Sequence, residues 1–202
     1  MRRYILLGAI AAILSCASIL YADGLLEFSA VMVEKDGSAV ESNKIYVTKD
    51  KSRYDGKDGA EIVITRYDKR VMWIIFPKYG RYVEQPCTEV QPQTPVKPME
   101  GTFGDMTRKL VANEVLDSYR TKKFLITIVP GGKEKYKYQY YEWYRDNFPF
   151  PVKVAALIGN SSTEYTKIKF APMDPDLFAV PKRYKKSTLE EIEALEKSDK
   201  KK

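Results

Sequence analysis

From residue 24 onward, apolar and polar positions alternate with a period of two, the spacing of half-buried β-strands. Leu26, Phe28, Ala30 and Met32 alternate in the first segment, and Ile45 and Val47 in the second. Ile62, Ile64 and Arg66 share one face of a third, opposite Val63, Thr65 and Tyr67. Val71 to Phe76 is apolar without a break, as in a strand covered on both faces. Arg81 to Glu84 follows the turn Pro77-Lys78-Tyr79-Gly80, and Asp36-Gly37, Asp55-Gly56 and Asp58-Gly59 mark hairpins.

The pattern then stops. Gln85 to Pro98 carries Pro86, Pro92, Pro95 and Pro98, so it reads as a crossing loop rather than a helix or a central strand. Met99 to Arg108 is expected to contain a helical turn. Strands resume at Leu110 to Leu116, Lys123 to Val129, Lys133 to Tyr144, Val152 to Leu157 and Thr163 to Phe170, with a turn at Pro130-Gly131-Gly132. The reading is a mostly β chain of about ten strands with few short helices. A long antiparallel sheet hides its edges and one face by closing, or half closing, into a barrel. A two-sheet sandwich is the other solution.

The two ends depart from this pattern. Met1-Arg2-Arg3-Tyr4 precedes an apolar run from Ile5 to Leu20, and Tyr21-Ala22-Asp23-Gly24 restores polarity. That is the layout of a signal peptide over 1–22, and it predicts an exported, periplasmic protein. Cleavage after Ala22 competes with lipidation at Cys16, where Ile13-Leu14-Ser15-Cys16 resembles a lipobox; that route gives a membrane-anchored lipoprotein. At the other end, Ser187-Thr188-Leu189-Glu190 resembles a capping box, and Leu189, Ile192 and Leu195 form a helical stripe. The expected organisation is therefore a leader at 1–22, a β domain at 23–186 and a charged helix and tail at 187–202.

Composition narrows the chemistry. The chain has 34 Lys and Arg against 27 Asp and Glu, and loss of Arg2 and Arg3 leaves a mildly basic mature protein. This charge suits an anionic membrane surface. Export separates the chain from nucleic acid. There is no histidine, which removes Ser-His-Asp and Cys-His catalysis and the common zinc sites. The two cysteines are Cys16 and Cys87, and a mature chain with Cys87 alone has no internal disulfide or redox pair. No phosphate loop is present. No enzyme and no cofactor are expected.

Several segments acquire meaning together: Arg53-Tyr54-Asp55, Arg66-Tyr67-Asp68-Lys69, Trp73, Pro77, Tyr82-Val83-Glu84, Tyr141-Glu142-Trp143, Phe148 to Val154, and Leu177-Phe178-Ala179-Val180-Pro181 with Tyr184. Their order over residues 24–186 resembles exported bacterial proteins of the LolA/LolB-like superfamily, described as outer-membrane lipoprotein-sorting-protein-like. The resemblance implies a half-open antiparallel β-barrel around a hydrophobic cavity. In the characterised relatives that cavity receives the acyl chains of lipoproteins in transit. Its implied partners are lipid acyl chains or a lipoprotein, with a membrane surface nearby.

On that resemblance Arg53 lies where an arginine helps gate the cavity, and its fork of donors suits an ester or phosphate. The residues alone also allow Arg53 to pair with Asp55 or Asp68 on the sheet surface. Trp73, Phe28, Met32, Ile62, Ile64 and Phe124 are candidate cavity walls, and the same residues would fill an ordinary core. Tyr136, Tyr138, Tyr140 and Tyr144 form an alternating stripe, read first as cross-strand packing. The leading function is a non-enzymatic envelope protein that binds a lipid or lipidated ligand in a hydrophobic concavity, in lipoprotein or lipid transport to the outer membrane. The alternative is a structural or adaptor protein that binds another envelope protein through its sheet surface.

Overall fold

The computed structural model describes residues 27–88, 100–146, 148 and 150–199. The expected leader with Cys16, and most of the proline-rich 85–98 loop, lie outside the described residues.

Among the described residues, thirteen strands make up one sheet. They are β1 (Phe28–Asp36), β2 (Ala39–Val47), β3 (Lys51–Asp55), β4 (Ile62–Arg66), β5 (Val71–Phe76), β6 (Arg81–Pro86), β7 (Gly101–Phe103), β8 (Met106–Leu116), β9 (Tyr119–Ile128), β10 (Tyr138–Arg145), β11 (Lys153–Ala156), β12 (Ser162–Phe170) and β13 (Lys185–Lys186). One helix, α1 (Leu189–Asp199), follows. The order is β13-β6-β5-β4-β3-β2-β1-β12-β11-β10-β9-β8-β7. The order ends at β13 and β7, so the sheet is not closed into a barrel, and it is not a two-sheet sandwich.

The mostly β, antiparallel architecture agrees with the alternation in the sequence, and the strand count exceeds the expected ten. Three strands account for the excess. β3 has no apolar alternation, since Lys51-Ser52-Arg53-Tyr54-Asp55 is polar on both phases. β13 has two residues and pairs in parallel with β6. β7 pairs with β8 through Phe103 and Met106, so Met99 to Arg108 holds a hairpin rather than a helical turn. The turn at Gly104 has a positive φ of 59°, which glycine adopts without a Cβ clash and which stops a helix from running through.

The chain divides into two compact units. Of the described residues, unit 1 holds 32–41 and those from 100 to 166, and unit 2 holds 27–31, 42–88 and 167–199. In unit 2, β5 is apolar on both phases because both of its faces are covered. Ile74 and Phe76 pack with Val83 and with Ile192 of α1. Ile75, on the opposite phase, packs with Ile64 and Phe178. The helix begins one residue later than the sequence suggested. Glu191 N donates to Thr188 Oγ1 at 3.3 Å and Thr188 N to Glu191 Oε2 at 3.2 Å, so the reciprocal cap uses Thr188 and Glu191.

In unit 1, Leu116 and Tyr119 are paired residues, leaving Asp117-Ser118 as a two-residue loop. Both loop residues have positive φ, 46° and 68°, the requirement of the tight turn that matches strand twist. Glycine usually meets that requirement, and its absence here costs backbone energy. Ser118→Gly is expected to stabilise the protein by about 1 kcal/mol, measured as a raised urea midpoint with an unchanged slope.

Candidate functional site

Unit 2 gathers four of the sequence candidates on one sheet face. Tyr46 pairs with Arg53, Arg53 with Ile64, Ile64 with Trp73, and Ile62 with Ile75. Directly opposed residues of antiparallel strands point to the same side, so Arg53, Ile62, Ile64 and Trp73 share it. That face is occupied by the chain itself. Met173, Leu177, Phe178, Val180 and Tyr184 lie against Ile64 and Ile75, with Phe178 1% exposed. Residues 173–184 thus form a strap over the face where an acyl chain was expected.

Two Arg-Tyr-Asp tripeptides hold the strap. Arg53 Nε donates to Asp55 at 2.5 Å and its Nη1 to the Leu177 carbonyl at 2.9 Å. Arg66 pairs with Asp68 at 2.5 Å, and its Nη1 donates to the Phe178 carbonyl at 3.3 Å. Each aspartate orients the guanidinium so that one remaining N–H meets a strap carbonyl. The Arg66 bond holds the Asp68 carboxyl below the usual carboxylate range. Trp73 donates from Nε1 to Glu84 at 2.9 Å. Here Arg53 is a structural clamp, and the pairing with Asp55 that the sequence allowed is present.

Phe28 and Met32 are both buried on the inward phase of β1, with Ala30 between them. Phe28 lies in unit 2, edge-on to Phe170 at 6.3 Å between ring centroids. Met32 belongs to unit 1. The structure does not bring these residues together with the Arg53 group in one described cluster.

Phe124 belongs to a different arrangement, in unit 1. It packs with Ile126 and Tyr144, and Met106, Leu110, Ile128 and Tyr140 surround them. Arg108 pairs with Ile126, and Glu142 with Phe124, so both polar residues point into this apolar face. Arg108 is 7% exposed and Glu142 8%. Tyr144 Oη donates to Glu142 Oε2 at 2.7 Å, and Arg108 Nη2 donates to Tyr144 Oη at 3.2 Å and Glu142 Oε2 at 3.4 Å. The buried Arg108 Nε has no hydrogen-bond partner among the described residues. A buried donor left unmade costs about 1–3 kcal/mol.

Burial pushes the Glu142 carboxyl up from its ordinary 4.5, against the opposing pull of Tyr144 and Arg108. Burial and then Glu142 push the Tyr144 hydroxyl up as well, so it stays a donor. The raised Glu142 value has a consequence for stability. The folded protein binds this proton more tightly than the unfolded chain does, so stability falls as pH rises from about 4.5 through the folded value. Glu142→Gln is expected to flatten that part of the curve, read as the difference between the two proteins' urea midpoints across pH.

The sequence named Phe124 as a candidate cavity wall but did not single out Arg108 and Glu142, which share its apolar face. The signal was present: Met106, Arg108 and Leu110 share one phase of β8, and Glu142 interrupts the tyrosine phase of β10. That stripe begins at Tyr138, since Tyr136 lies in a 3-10 turn over Glu134–Tyr136. Cys87 is buried. Among the described residues, no group of three or more Cys, Asp and Glu side chains is arranged to hold a metal ion, and no helix is long and apolar enough to cross a membrane.

No protein-family model matches the sequence, and a comparison with curated proteins found no match. Solved structures do resemble it. An uncharacterized conserved protein from Thermus thermophilus matches with a TM-score of 0.54 at 12% identity, covering 93% of this chain and 99% of that one. MucB, solved in complex with MucA(peri), matches with a TM-score of 0.53 at 13% identity over 81% of this chain. Only 57% of that MucB chain is covered, so the present chain spans little more than half its length. A LolA superfamily protein from Nitrosomonas europaea is also similar, at 15% identity over 84% of this chain and 96% of that one, with a TM-score of 0.31. The likeness in fold rests on the first two structures.

Proposed function

We propose that this protein is a non-enzymatic component of the bacterial cell envelope that binds an acyl-chain ligand, a lipid or a lipidated protein, on the apolar face of unit 1. One observation carries the reading: a buried arginine with an unused donor, set among aromatic and aliphatic side chains. An amphiphile meets both needs. Its ester, carboxylate or phosphate oxygen accepts from Arg108 Nε, and its chain lies along Met106, Ile128 and Tyr140, the partly buried side chains around Phe124 and Ile126. Each buried methylene contributes about 0.8 kcal/mol. The signal-like first 22 residues support a periplasmic location, which suits cargo passing towards the outer membrane. The exported protein, stripped of lipid in mild organic solvent and refolded, should take up a fluorescent fatty acid at one site. Failure of uptake by a correctly refolded protein would remove the reading.

A second reading is supported by the MucB likeness, since that structure holds a protein partner. Here the chain would act as an adaptor and bind another envelope protein through its sheet surface. Capture of such a partner by protein whose Arg108 site is inactivated would favour it.

A further inference from the structure

One end of unit 1 gathers five exposed large apolar side chains. The strand register fixes what lies there. Phe103 pairs with Met106, Met106 with Ile128, and Ile128 with Tyr138. Tyr140 pairs with Ala156, so Leu157 and Ile158, just beyond Ala156, come level with Tyr138. Phe103, Tyr138 and the turn at Ile158 therefore lie along one end of five consecutive strands, β7 to β11, a row of roughly 20 Å.

The connections at this end are tied together. Val129 N donates to the Asp105 carbonyl at 2.8 Å, and Gly131 N to Asp105 Oδ2 at 2.9 Å. The turn beyond Ala156 is closed by Ala156 N donating to the Ser161 carbonyl at 3.0 Å. These loops form a braced rim, in which the exposed Asp105 accepts from Gly131 N through Oδ2.

The side chains on the rim are apolar and outward. Ile158 is 88% exposed and Tyr138 59%, and Phe103, Tyr136 and Leu157 are exposed too. Single exposed apolar residues are ordinary, but five along one braced end is a patch with a use. Lys133, Lys135 and Lys137 stand beside them, exposed on the surface. The Lys135 ammonium sits 4.8 Å from the centre of the Tyr136 ring, so ring and cation present together.

We propose that this rim docks on an anionic lipid bilayer, with Ile158 and Leu157 entering the acyl region and the tyrosines and lysines at headgroup level. The chemistry matches each layer. Aliphatic tips gain by leaving water. Tyrosines favour the interface, where ring and hydroxyl find separate surroundings. The lysines are drawn to an anionic surface, each adding to the attraction. The opposite end of β8 also exposes an apolar residue, Val115, 68% exposed. There, the neighbouring Tyr119 is 43% exposed with the Arg145 guanidinium 3.7 Å from its ring centre, so among the described residues that end carries two such side chains against five on the rim. The inference does not depend on occupancy of the Arg108 site.

The test is sedimentation of the exported protein with vesicles of mixed phosphatidylethanolamine and phosphatidylglycerol, against vesicles of phosphatidylcholine alone. Wild type should bind the anionic vesicles. Ile158→Glu should weaken that binding about tenfold, the loss of a large part of one aliphatic burial. Lys133→Gln, Lys135→Gln and Lys137→Gln together should remove the preference for the anionic vesicles. Val115→Glu, also exposed but away from the rim, should bind as wild type does. Wild type that stays in solution with both vesicles would overturn the proposal. So would Ile158→Glu binding unchanged, or Val115→Glu losing as much.

Discussion

Arg108→Met should destabilise the protein by about 3 kcal/mol at neutral pH and abolish ligand binding. The stability loss comes from Glu142 rather than from the arginine. Breaking a buried pair leaves the remaining charge uncompensated, which costs more than the pair was worth. Glu142 sits 8% exposed with Tyr144 as its other hydrogen-bond partner. Adding Glu142→Gln to Arg108→Met should therefore recover most of the stability, because two neutral side chains then fill the site. Binding should stay lost in the double variant, since no donor is left for the ligand oxygen. Urea denaturation and fatty-acid titration of the three proteins separate the two effects. Recovery of binding together with stability would make Arg108 purely structural.

Phe178→Ala should cost about 3–5 kcal/mol, the range for truncating a fully buried aromatic. Phe178 packs on Ile64 and Ile75, and its carbonyl accepts from Arg66. Truncation opens a void under the strap without altering either Arg-Asp pair. Hydrogen exchange should then rise across residues 173–184. Arg53→Ala and Arg66→Ala should raise exchange in the same segment with a smaller loss, on the order of 1–2 kcal/mol each, since each removes a hydrogen bond from a charged donor. Unchanged exchange in Phe178→Ala would mean the strap is held by its ends alone. One such tie is Glu27 Oε2, which accepts from Met173 N at 2.7 Å.

Particular residues show what was legible in the sequence. The unbroken apolar run of β5 announced burial on both faces, and α1 and the strap provide it. The Asp36-Gly37 turn also stands where expected, with Gly37 at a φ of 60°. Several of the motifs behind the LolA/LolB-like resemblance turn out to touch one another. Both Arg-Tyr-Asp tripeptides meet Leu177 and Phe178, and Trp73 packs beside them. Their order along the chain was visible, but their contact, 124 and 112 residues apart, was not.

What was missed has a physical cause. β3 carries polar residues on both phases, so periodicity was silent there. Arg108 ended a stretch expected to hold a helical turn, and burial of a charge depends on partners from other strands. Glu142 and Tyr144 come from β10, 34 and 36 residues away. A hollow and a filled sheet face also carry the same apolar letters. Ile62, Ile64 and Trp73 illustrate this, since the strap takes the place where a ligand was expected.

The central claim, an acyl-chain ligand held at Arg108 in unit 1, is tested most directly by native mass spectrometry of protein purified from the envelope. The account predicts a bound species of lipid mass on wild type and none on the Arg108→Met, Glu142→Gln double variant. A clean apo mass for wild type, with no fatty-acid uptake after delipidation, would contradict it.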